Sequence, residues 1–110
     1  MLLKNEILEN KKEFVKICRN HNVKYLYGFG SSLTKDLGEK SDIDLMVDID
    51  IQDPLKRGET LLSLWDKLEK FFNRSVDLLT EEGLRNPALK RSINSTRELI
   101  YDRSEREISI

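Results

Sequence analysis

Between Asp42 and Asp50 the chain alternates without interruption. Ile43, Leu45, Val47 and Ile49 point one way from an extended backbone, and Asp42, Asp44, Met46, Asp48 and Asp50 point the other. This pattern is that of a half-buried strand. Asp53-Pro54 then fits a helix entry, and Leu61, Leu64, Trp65, Leu68, Phe71 and Phe72 recur at offsets of 0, 3, 4, 7, 10 and 11, the stripe of one helical face. Asn73-Arg74 closes that helix, and Ser75-Val76-Asp77-Leu78-Leu79 makes a short second strand. Strand, helix and strand in succession predict a right-handed crossover with the two strands parallel, and so a small α/β sheet.

The flanks extend this unit. Ile7, Leu8, Phe14, Val15 and Cys18 share one face of a helix over residues 3–20, with Cys18 buried in it. Asn20-His21-Asn22 breaks the pattern, His21 being expected in a surface turn. Val23 to Gly30 alternates as a further strand on which Tyr25 and Tyr27 share a face and pack. From Ser31 a short helix with a Ser cap is predicted, then a loop at Gly38-Glu39-Lys40. Residues 81–96 read as short helices interrupted by Asn86-Pro87, and Glu98-Leu99-Ile100-Tyr101 as an edge strand or a closing turn. Trp65, Phe71 and Phe72 are expected in the core. A chain of 110 residues supports one core, so a single domain is expected over 1–102, with 103–110 a polar tail that frays.

Composition bounds the function. Nineteen Lys and Arg stand against 20 Asp and Glu, a net charge of −1, so no global field draws the chain to nucleic acid or anionic lipid, and direct nucleic-acid binding is not expected. No apolar run approaches the roughly 20 residues that span a bilayer, and the first residues lack the pattern of a secretory leader. A cytoplasmic protein without membrane contact is expected. Cys18, being alone, closes no internal disulfide and joins no cysteine metal cluster.

The charge is locally uneven. From Asp36 to Asp53 there are seven acidic residues and one basic one, Lys40. Asp42 and Asp44, two apart on a strand, project from one face with bases about 6.6 Å apart, close enough to converge on a pair of divalent ions. Their hard oxygen donors suit Mg²⁺ or Mn²⁺. Asp48 stands roughly 13 Å further along than Asp44, beyond a shared shell, and with Asp50 reads as solvated surface. Just past the strand that ends at Gly30, the Gly30-Ser31 step leaves backbone N–H groups at a helix start where a phosphate is favoured and a glycine permits close approach.

Gly30-Ser31, ten intervening residues, Asp42-Ile43-Asp44 and a later Asp77 together resemble the minimal nucleotidyltransferases of the DNA polymerase β superfamily. The order of helices and strands follows that family through about Asp102. The resemblance implies the nucleotidyltransferase fold, a small mixed sheet (α+β in character) with helices mainly on one face. It also implies nucleotide binding at Gly30, Ser31, Ser32 and Lys35, and two Mg²⁺ ions held by Asp42, Asp44 and Asp77, which are also the catalytic residues. Many relatives carry an Arg and a second Gly soon after the Gly-Ser step, where this chain has Ser32, Leu33, Thr34 and Lys35. Charge for the triphosphate is then expected from Lys35 or Lys40, or from Arg85, Lys90, Arg91 and Arg97, read otherwise as an exposed helical face.

The resemblance further implies ATP as substrate and AMP transferred, with pyrophosphate released, to a hydroxyl of an acceptor that docks from outside. That acceptor is expected to be a tyrosine of a HEPN-domain toxin, with this chain as antitoxin. Two alternatives stay open: a subunit that neutralises its partner by occlusion without turnover, and a homodimer that modifies a small molecule of aminoglycoside type.

Overall fold

The computed structural model describes residues 2–29, 42–80, 86–105 and 107–108. The apolar recurrence of residues 3–20 is carried by two helices where one was expected, α1 (Leu2–Glu9) and α2 (Lys11–Asn20). They part at Asn10, whose φ of −128° and ψ of 44° leave the helical region. Asn is a poor interior helix residue because its side chain competes for backbone hydrogen bonds. The Asn10 carbonyl nonetheless accepts from the Phe14 amide at 3.0 Å and so opens α2. The break redirects the stripe: Ile7, Phe14 and Cys18 are fully buried, whereas Leu8, expected beside them, is 45% exposed. His21, expected at the surface, is buried at the end of α2 because both ring nitrogens find partners, Nδ1 at 2.7 Å from the Ile17 carbonyl and Nε2 at 2.9 Å from Ser63 Oγ.

β1 (Val23–Phe29) and β2 (Ile43–Ile49) follow, then α3 (Pro54–Phe72), β3 (Val76–Thr80), α4 (Pro87–Thr96) and β4 (Glu98–Asp102). A 3₁₀ turn over Arg103–Glu105 leads to β5 (Glu107–Ile108). The sheet order is β3-β2-β1-β4-β5. β2 and β3 run parallel, as the intervening helix requires, and the other pairs are antiparallel, giving the expected mixed sheet. Two expectations need correction. β4 lies inside the sheet, between β1 and β5, rather than at its edge, and residues 103–105 and 107–108, expected to fray, form the turn and the strand that covers β4. An exposed β4 would offer unpaired backbone groups along its outer side, and β5 pairs with those at its end, Tyr101 and Asp102.

Pro54 at the first turn and a left-handed Asn73 (φ 53°) bound α3. Ile43, Leu45, Val47 and Ile49 of β2, Val76 and Leu78 of β3 and Leu26 of β1 form one wall of the core. Ile7, Phe14, Cys18, Leu64, Leu68 and Phe72 form the other, so that α1, α2 and α3 cover one face of the sheet. Phe14, Phe71 and Phe72 meet in tilted and edge-on pairs 5.0 to 6.2 Å apart. Trp65 and Phe71 are partly buried against this cluster. The opposite sheet face carries Tyr25 and Tyr27, with ring centroids 6.2 Å apart, together with Asp44, Met46 and Asp77. Met46 is buried there between its strand partners Tyr27 and Leu79.

Candidate active site

The site face is built by register. Asp44 of β2 is the Cα partner of Asp77 on β3 and of Phe29 on β1, so Asp77, Asp44 and Phe29 form one row across three strands, each about 4.8 Å from the next. Asp42 lies one residue before β2 begins and is exposed; Asp44 is half-buried, and Asp77 is exposed. The structure thus brings Asp44 and Asp77 side by side, with Asp42 at the mouth of the same strand. Among the described residues, no three His, Cys, Asp or Glu side chains converge as a group able to hold one metal ion. The donor chemistry, carboxylate oxygens alone, fits Mg²⁺ or Mn²⁺.

Asp77 is held through the residue before it. β3 is an edge strand, and the Val76 backbone is clamped on both counts by α3: its amide donates to Glu69 Oε2 at 3.0 Å, and its carbonyl accepts from Trp65 Nε1 at 2.6 Å. On the other side, the Ile43 amide donates to the Ser75 carbonyl at 3.0 Å. Core burial of Val76 and Leu78 then leaves Asp77 no orientation except outward.

Gly30, Ser31, Ser32 and Lys35 lie outside the described residues, as do Lys40 and Arg85. What the fold does fix is the point from which that segment departs, since Gly30 follows Phe29 directly and Phe29 pairs with Asp44. Asp48 and Asp50 are exposed, as expected, and Asp50 pairs with Arg103 at 2.9 Å. A cavity of about 420 Å³, lined among others by Asp48, Arg57, Thr80 and Lys90, opens at the far end of β2 and β3, away from the carboxylate row.

The reading of Arg97 as part of a basic helical face is corrected. It follows α4, precedes β4, and places its guanidinium carbon 4.3 Å from the centre of the Tyr27 ring on the site face of the sheet. Tyr27 and Arg97 are far apart in sequence and meet only through the β1–β4 pairing, which local patterning does not reveal.

A family model described as "Polymerase beta, Nucleotidyltransferase" matches residues 12–106. "Putative protein adenylyltransferase MJ1379" of Methanocaldococcus jannaschii is 38% identical over 96 residues, covering 87% of this chain and 91% of that protein. A solved "putative minimal nucleotidyltransferase" superposes with a TM-score of 0.59 at 27% identity, over 84% of this chain and 92% of that one. A toxin-antitoxin crystallised with AMP-PNP superposes with a TM-score of 0.59 at 21% identity, over 94% of this chain and 77% of that one, and shares the fold. The protein is therefore a nucleotidyltransferase. It belongs to the polymerase β nucleotidyltransferase family. Among the described residues, no helix is long and apolar enough to cross a membrane.

Proposed function

We propose that this chain transfers AMP from ATP to a tyrosine hydroxyl of a HEPN-domain toxin, releasing pyrophosphate and so acting as its antitoxin in the cytoplasm. The observation that carries the reading is the alignment of Asp44 with Asp77 on adjacent parallel strands, with Asp42 two residues before Asp44. The name of the M. jannaschii relative supports protein adenylylation, and the toxin-antitoxin with AMP-PNP supports both a nucleotide and a toxin partner.

Asp42, Asp44 and Asp77 would hold two metal ions between them rather than close together on one. Mg²⁺ bound by these carboxylates would supply a lowered pKa for the attacking hydroxyl and charge neutralisation for the triphosphate. Asp77 sits beside Asp44 and accepts the hydroxyl proton as the oxygen attacks the α-phosphorus in line. One O–P bond forms, the α–β P–O bond breaks, and pyrophosphate departs with the electron pair. Gly30, Ser31, Ser32 and Lys35 bind the triphosphate.

The test is to incubate the chain with ATP, Mg²⁺ and the purified toxin and to measure intact masses. An adenylyl adduct that maps to a toxin tyrosine is expected; folded components that give no adduct overturn the reading. A double variant, Asp42→Asn with Asp44→Asn, that still neutralises the toxin fully would replace catalysis by occlusion.

A further inference from the structure

We propose that Arg97, docked on the Tyr27 ring, is a phosphate-binding residue of this site that takes the β- and γ-phosphates of the nucleotide. The proposal rests on the nucleotidyl-transfer reading and adds a residue to it. Four chain segments meet at one end of the sheet: the starts of β2 and β3, which carry Asp44 and Asp77, the end of β1, and the start of β4. Glu98 pairs with Gly28, so Arg97, the residue just before β4, comes up to the end of β1 where Phe29 follows Gly28. Arg97 therefore stands at the same end of the sheet as the row Asp77, Asp44, Phe29, at the entry to the next strand.

Its side chain does not run out into solvent. The pairing of β1 with β4 shifts register between Leu26 and Tyr27, and beside that shift the guanidinium sits within stacking distance of the Tyr27 ring, at 4.3 Å, with Arg97 half-buried. The aromatic face attracts the cation and holds it in place. Tyr27 pairs with Met46, two residues beyond Asp44, and such diagonal neighbours lie about 7 to 8 Å apart. A polyphosphate can bridge that span, with its α-phosphate at the carboxylate row and its outer phosphates at the guanidinium.

The chemistry fits. A triphosphate brings several negative charges toward three carboxylates and needs cations at its distal end. A guanidinium stays charged at any working pH and offers paired donors to phosphate oxygens. Stacking on the ring leaves those edge donors available to a ligand.

Binding of a fluorescent ATP analogue in the presence of Mg²⁺, displaced by ATP, tripolyphosphate or adenosine, tests the assignment. Arg97→Ala should weaken ATP and tripolyphosphate together by roughly 10- to 100-fold and leave displacement by adenosine unchanged, with Arg97→Lys intermediate. Tyr27→Phe, which keeps the ring, should bind as the parent does, and Tyr27→Leu should lose several-fold. Folded Arg97→Ala that binds tripolyphosphate like the parent overturns the proposal, as does a parent that binds neither ATP nor tripolyphosphate. A loss confined to adenosine would assign Arg97 to the base and overturn it equally. If tripolyphosphate binding depends on Arg97 but no toxin is modified, the toxin reading fails and this one stands; if the toxin is modified and Arg97→Ala binds normally, the reverse holds.

Discussion

Asp44 and Asp77 differ in burial yet occupy one row, and each replacement by Asn keeps size while removing the charge that a hard cation requires. Asp77→Asn should reduce the transfer rate by at least about 10³-fold with ATP binding largely intact, and thermal unfolding should confirm that the fold persists. An unaffected rate would remove Asp77 from the site. Asp42 and Asp44 were legible in the sequence because strand alternation puts them on one face. Their proximity to Asp77 was not, since it depends on how two strands align across a helix. Cys18 shows the opposite case, a residue whose buried position follows directly from the helical stripe. Burial pushes its thiol up to about 12 from an ordinary 9.0. The unfolded chain therefore gives up this proton first, so stability is unaffected below about pH 8.5 and declines above pH 9 by up to about 1.4 kcal/mol per pH unit. Urea midpoints at pH 8 and pH 10.5, compared with those of Cys18→Ala, should show a steeper alkaline loss in the parent.

At the scale of elements, α3 was the most legible, since its stripe and its Pro54 and Asn73 boundaries were all visible as residue types. One residue in it runs against its helix. A Cβ built on Gly58 meets no atom within 4 Å, so Gly58→Ala should gain about 0.5–1 kcal/mol from helix propensity and raise the melting temperature. A fall in melting temperature would show that the open space is not open. The same helix holds β3 in place. Trp65→Phe removes the donor to the Val76 carbonyl and should cost about 1–2 kcal/mol while lowering the transfer rate more than toxin affinity. Equal rates would show that β2 alone fixes Asp77. The pieces that sequence reasoning placed less well share one cause: the split at Asn10, the interior position of β4 and the strand β5 all depend on which partner lies alongside, and local patterning is silent about partners.

For the molecule as a whole, the α/β class followed from the order of elements and the mixed sheet from the family resemblance, while the charge layout had to be seen. Arg74, just past α3, pairs with Glu6 on α1 at 2.6 Å, with side-chain exposures of 9% and 33%. This contact ties the first helix to the connection that leads into β3. Glu6→Gln should destabilise by about 1–2 kcal/mol, discounted for the partly exposed carboxylate and measurable by denaturant titration. The clamp on Val76 makes a different kind of demand on the chain. Because side chains on a strand change sides at every step, inserting one residue between Val76 and Asp77 would turn the carboxylate into the oily interior and expel Leu78 in its place. Length changes at this spot are tolerable only in twos, so descendants of this gene should vary here by substitution and keep their spacing.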